Sequence, residues 1–179
     1  MLYYVTGNNN KFEEARAILG NVEQLNINLS EIQELDPKKI IKKKLLEALK
    51  HKKENVIVED TCMYLDCMKG LPGPLIKWFL QTIGIEGIVE LTEKLRNNRA
   101  EVRLIVGYAK NDKEISFFEG SDSGVIVRPR GSLKFGFDPI FQPDGHSKTF
   151  GEMKTEDKIK ISHRRKALDK LKHFLESNN

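Results

Sequence analysis

The apolar run Leu2 to Val5 stops at Gly7-Asn8, a pattern that predicts a short buried strand over about residues 2–6 and a turn. A helical pattern follows from about Lys11 to Leu19. Leu25, Ile27 and Leu29 alternate with polar residues and predict a second strand, and Pro37 suits the first turn of a second helix. Val56-Ile57-Val58 reads as a third strand. From Pro74 two helical stretches reach about Leu95, the second carrying Ile85, Ile88, Val89, Thr92 and Leu95 at helical spacing. The period then changes to two, with antiparallel strands expected near 101–109, 115–119 and 124–127, separated by Asn111-Asp112 and Ser121-Asp122-Ser123. Arg128 to Gly136 is a turn-rich loop. A last helix after Ser162, its expected N-cap, aligns Ala167, Leu168, Leu171, Phe174 and Leu175 on one stripe. The sum is one mixed α/β domain without repeats or linkers.

Composition adds few constraints. The 179 residues suit one domain, with 39% hydrophobic and 31% charged residues, a globular balance. A net charge of +4 is too small for a dedicated nucleic-acid binder, and no stretch approaches a membrane span. The start lacks the charged and apolar regions of an export signal, so a cytoplasmic location is expected. Cys62 and Cys67 lack the partners of a zinc site and are read as reduced structural residues.

Candidate chemistry gathers at the turns. Thr6, Gly7, Asn8, Asn9, Asn10 and Lys11 lie at a strand-to-helix turn, where backbone N–H groups and the helix dipole can hold an anion. An ordinary turn with an Asn N-cap fits the same residues. Glu59 and Asp60 follow the strand Val56 to Val58, where α/β sheets place ligands, and Glu31 follows another strand. Two such carboxylates can share a magnesium ion with substrate phosphates, or can simply be solvated. Lys38, Lys39, Lys42, Lys43, Lys44, Lys50, Lys52 and Lys53 face a single Glu47 and mostly solvate a helix. Lys44 falls on the inner face with Ile41 and Ala48, where it either snorkels outward or meets an anion. Phe135, Gly136, Phe137 and Asp138 can stack a base and accept from its edge, or form a core turn. Lys158, His163 and Arg164 supply donors.

The motifs TGNNNK (6–11), EDTC (59–62), GLPGPLIKWF (70–79), PRG (129–131), FGFDPIFQPDG (135–145), TFGEM (149–153) and SHRRKAL (162–168) run through almost the whole chain. In this order they resemble the inosine triphosphate pyrophosphatase family. The resemblance implies an elongated two-lobed α/β fold with a central mixed twisted sheet, helices around it and a nucleotide cleft between lobes. It implies a magnesium-dependent homodimer that cleaves ITP, dITP or XTP to the monophosphate and pyrophosphate. It assigns Thr6 to Lys11, Lys44 and Lys77 to the phosphates, Glu31 and Asp60 to magnesium, and Asp60 also to proton acceptance. Thr61 becomes a substrate contact. Phe135 to Asp138, Lys158, His163 and Arg164 become the base pocket. Glu34 and Lys43 are the neighbouring alternatives to Glu31 and Lys44. Phe137, Leu75 and Ile159 depart from the family's common Trp or Tyr, Tyr and Asn, and these departures bear on specificity. A pyrophosphatase of other modified nucleotides and a lysine-rich nucleic-acid-binding module are the competing readings.

Overall fold

A computed structural model describes residues 1–133 and 135–178. Among these residues the chain forms a mixed α/β fold around a seven-stranded sheet, with six α-helices. The strands are β1 (Leu2–Val5), β2 (Val22–Leu25), β3 (Val56–Leu65), β4 (Pro72–Gly73), β5 (Arg99–Ala109), β6 (Ile115–Ile126) and β7 (Phe141–Pro143). The helices are α1 (Asn9–Leu19), α2 (Pro37–Ala48), α3 (Ile76–Thr82), α4 (Gly84–Lys94), α5 (Thr155–Ile161) and α6 (His163–Ser177). The sheet order is β2-β1-β3-β5-β6-β7, with β4 paired to β3. No helix among the described residues is long and apolar enough to cross a membrane.

The chain divides into two compact units, and β3, β5 and β6 each contribute to both. The first comprises Met1–Asp60, Leu104–Gly120 and the chain from Arg164. Here β1 pairs in parallel with β2 and β3. Strand alternation sends side chains to two cores. Tyr4, Ile57, Leu104 and Val106 pack with Ala15 and Ile18 of α1 and with Ala167, Leu168 and Leu171 of α6. Val5, Val56, Val58 and Ile105 pack instead with Ile41, Leu45 and Ala48 of α2. Helix α2 starts at an Asp36 cap whose side chain accepts from the Lys38 N–H, with Pro37 in the first turn. It approaches β5 so closely at Gly107 that a Cβ there would lie 2.2 Å from Ile41 Cγ2.

The second unit comprises Thr61–Arg103 and Ser121–His163. Its core joins Met63, Leu65, Val102, Ile126 and Phe141 of the strands to Ile76, Ile88 and Val89 of α3 and α4, with Ile140 and Phe150. Gly131 has φ +79°, and a Cβ there would meet the Gly151 carbonyl oxygen at 2.3 Å, so only glycine fits this turn.

Several expected boundaries move. The second strand ends at Leu25 because β1, its ladder partner, ends at Val5, and Ile27 and Leu29 follow as irregular chain packed on the α2 core. The third strand runs past Val58 to Leu65, so Glu59 and Asp60 lie within a strand rather than after one. Ser121-Asp122-Ser123 is not a turn. The expected strands near 115–119 and 124–127 are one strand, β6, in which Asp122 is buried and its two serine neighbours are exposed. Leu95 ends α4 exposed rather than on its packed stripe. Strands β4 and β7 and helix α5 lie outside the elements read from the pattern, each being only two to seven residues long. Lys134, in the Arg128 to Gly136 loop, lies outside the described residues.

Candidate active site

The first unit gathers the 6–11 turn, the paired acids and two buried cations. Thr6 to Lys11 join β1 to α1, with Gly7 to Asn10 exposed. The Asn8 side chain accepts from the Lys11 N–H at 3.2 Å, and the Thr6 hydroxyl accepts from the Asn8 N–H at 3.1 Å. Asn8 is therefore an N-cap, and helix geometry leaves the N–H groups of the first turn pointing outward at the positive end of the dipole. Gly7 allows close approach, since a Cβ would meet Asn26 Oδ1 at 3.3 Å.

Strand alternation separates the adjacent acids of β3. Asp60 shares a face with Val56 and Val58, toward α2, where Lys44 Nζ lies 2.9 Å from Asp60 Oδ1 and 2.9 Å from Glu31 Oε1. Lys44 is 6% exposed, so it does not snorkel to the surface but meets an anion pair. Its ammonium is held above the ordinary lysine range because the attraction of Asp60 and Glu31 outweighs the burial that opposes charge. Burial dominates at Asp60 and pushes its carboxyl above the usual range despite Lys44. The structure thus groups Glu31, Lys44 and Asp60, whereas Glu34 pairs with Lys39 and Lys43 is exposed.

Glu59 shares the opposite face with Ile57, toward α1 and α6. Its Oε1 receives Lys11 Nζ at 2.9 Å and Arg164 Nη2 at 2.7 Å. Arg164 Nη1 reaches Glu14 Oε2 at 3.0 Å. Burial opposes the charge of Glu59, yet Arg164 and Lys11 overcome it and hold the carboxyl down at about 2. Arg164 therefore stands with Lys11 of the 6–11 turn in the first unit, through a carboxylate they share. Glu14 escaped the sequence reading, although its place three residues after Lys11 puts both on one helix face.

The second unit gathers aromatic rings and polar groups around the turn Phe135 to Asp138. The turn is closed by the Asp138 N–H donating to the Phe135 carbonyl at 2.9 Å, and Gly136 supplies its φ of +43°. Lys158 Nζ, on α5, pairs with Asp138 Oδ2 and lies 4.8 Å from the centre of the half-buried Phe135 ring. Phe137 is buried against Phe141 and near His163, with ring centres 6.5 and 6.4 Å apart respectively. His163 is fixed by Asp122, whose Oδ2 accepts from the His163 N–H at 2.5 Å and lies 3.0 Å from Nδ1. Asp122 thus orients the ring and satisfies the first N–H of α6. The sequence reading missed it because Ser-Asp-Ser has the composition of a turn. Thr61 is half-buried on β3 between Asp60 and Cys62, and Lys77 is exposed on α3.

The oxygens of Glu31 and Asp60 are of the type a hard cation takes. Both carboxylates already converge on one positive charge at 2.9 Å, and an all-oxygen set of one or two carboxylates is what magnesium takes alongside substrate phosphates. Among the described residues no cluster of three or more acidic, His or Cys side chains offers a fuller protein cage.

Known proteins share this fold. The Ham1 protein of Staphylococcus aureus is similar over 100% of both chains, with 23% identity and a TM-score of 0.87. The HAM1 protein of Coxiella burnetii is similar over 99% of this chain and 100% of its own, with 22% identity and a TM-score of 0.79. A nucleoside-triphosphatase / dITP/XTP pyrophosphatase of Mycobacterium abscessus matches over 96% and 98%, with 22% identity and a TM-score of 0.75. At these identities the structures show the shared fold. The sequence profile of the Ham1 family matches residues 2–174, nearly the full length, and the chain therefore belongs to the Ham1 family.

Proposed function

We propose that the protein is a magnesium-dependent pyrophosphatase of non-standard purine nucleoside triphosphates, converting ITP, dITP and XTP to the monophosphate and pyrophosphate. The observation that carries this reading is the convergence of Glu31 and Asp60 on Lys44 in the unit that holds the phosphate turn. A dITP/XTP pyrophosphatase among the structural relatives supports the choice of substrate. Glu31 and Asp60 would hold the magnesium ion, which when bound offsets the negative charge of the triphosphate.

In the proposed reaction a water oxygen forms a bond to the α-phosphorus while the bond from that phosphorus to the α,β-bridging oxygen breaks, and pyrophosphate leaves. The water proton passes to Asp60, which burial makes a better acceptor than an exposed aspartate. Thr6 to Lys11 and Lys44 bind the phosphates, the turn through backbone N–H groups and the lysines through full charges. Lys77 and Thr61 add substrate contacts. Phe135, Phe137, Asp138, Lys158 and His163 form the base-recognition set, with Gly136 setting the turn. Hypoxanthine and xanthine carry a 6-oxo acceptor where adenine carries an amine, so a donor-bearing pocket such as one with Lys158 and His163 rejects adenine. Arg164 belongs to the same reading through its link to Lys11. The homodimer and the cytoplasmic location complete the proposal. The lysines of α2 are partly neutralised, as Lys38 by Glu119 and Lys39 by Glu34, which weighs against a nucleic-acid surface.

Pyrophosphate release measured over ITP, XTP, GTP, ATP, CTP and UTP, with and without magnesium, tests this directly. ITP and XTP should dominate and chelation should stop turnover. Preference for ATP or a pyrimidine, or indifference to metal, would refute the reading. Light scattering checks the dimer.

A further inference from the structure

Adjacent acids on a strand point to opposite faces, so Glu59 is barred from the site that Asp60 shares with Glu31 and Lys44. Nothing in the proposed chemistry uses it, yet its side chain is 4% exposed and carries a full ion pair to each of two cations. Four charged side chains close this network: Lys11 and Glu14 from α1, Glu59 from β3 and Arg164 from α6. Two positive and two negative charges cancel. Burial is graded along it, with Glu59 and Arg164 at 4% and 8% exposed, Glu14 at 14% and Lys11 at 27%. The buried end is anchored and the accessible end is a cation at the phosphate turn.

We propose that Glu59 is a positioning residue that aims Lys11 at the nucleotide's phosphates, with Arg164 and Glu14 as the anchor that holds Glu59 still. The inference rests on the assignment of the 6–11 turn to phosphate. The physical ground is the rotamer freedom of lysine. A free Lys11 must be ordered when the anion arrives, whereas one already held at 2.9 Å by a fixed carboxylate has lost that freedom on folding. The Glu59 oxygen that Lys11 meets is also held by Arg164 Nη2, so its charge is divided between two cations.

The test is a double-mutant cycle in steady-state ITP hydrolysis with Glu59→Gln, Lys11→Gln and the pair. Glu59→Gln should raise KM about tenfold, the scale of one charge-assisted hydrogen bond, with kcat changed much less. In the Lys11→Gln background the same change should move KM less than about twofold, since nothing is left to aim. Glu59→Asp keeps the charge and should fall between wild type and Glu59→Gln, which covers failure of the amide variant to fold. Manganese affinity, read by calorimetry without nucleotide, should be unmoved by Glu59→Gln or Glu59→Asp and lost in Asp60→Asn. Independent KM effects at Glu59 and Lys11, or an effect confined to kcat, would overturn the proposal while leaving the functional reading intact. An unchanged KM in Lys11→Gln would overturn the phosphate assignment and this inference with it.

Discussion

Replacing Lys44 by methionine isolates the electrostatics of the Glu31–Lys44–Asp60 cluster, because the two side chains are similar in length and the methionine fits the apolar wall of Ile41, Leu45 and Ala48. The ammonium is nearly buried and holds two carboxylates at 2.9 Å. Removing one member of a buried ion pair costs about 3–5 kcal/mol when the partner is left charged and dry. Here Glu31 is 46% exposed and re-solvates, whereas Asp60 is 18% exposed and cannot fully do so. We therefore expect a loss of about 2–4 kcal/mol at neutral pH, carried by Asp60. The sign follows from protonation. Asp60 already has a raised carboxyl value, and losing Lys44 raises it further, so the folded variant binds protons more tightly than the unfolded chain. The deficit is small at acid pH, below the new Asp60 value, where that carboxyl is protonated, and grows as pH rises through it. At the acid end the variant matches or exceeds wild type, since it no longer buries an unpaired ammonium. Urea unfolding across this range, at constant m, reads the difference. A deficit independent of pH would show that lysine packing, not charge pairing, is what the cluster contributes, and would refute the reasoning.

The Glu59 carboxyl is shifted the opposite way from that of Asp60: held at about 2 against an ordinary 4.5, it contributes about 3 kcal/mol that is present above the ordinary value and lost as pH falls toward about 2. Acid unfolding of Glu59→Gln should lack this component, and an unchanged acid limb would contradict it. Gly107→Ala should cost at least about 1–3 kcal/mol, because its Cβ would overlap Ile41 and Leu45 against the sheet; an unaltered thermal midpoint would show that α2 moves away freely. Asp122→Ala should cost about 1–3 kcal/mol by leaving the buried His163 N–H without its acceptor. In proton NMR the His163 ring should lose its single fixed environment, and a ring signal identical to wild type would count against Asp122 as its anchor.

Much of this protein is legible in its sequence because the governing interactions are short-range. The Pro37 start of α2, an Asn cap in the 6–11 turn and the inward stripe of α6 each depend on residues within a turn or two, and all three stand in the structure. The motif series carried the family assignment, and helical spacing put Lys44 on the inner face. Tertiary structure decided the rest, since it alone chooses partners far apart in the chain. Strand β6 continues through Ser-Asp-Ser because neighbouring strands supply its ladder and His163 satisfies its buried acid. Spacing left Lys44 to choose between water and an anion, and two carboxylates from other elements made the choice. Adjacent Glu59 and Asp60 look equivalent in one dimension. The pleat of β3 turns them to different faces, one onto Lys11 and Arg164 and the other onto Lys44, and only the fold determines what each face meets.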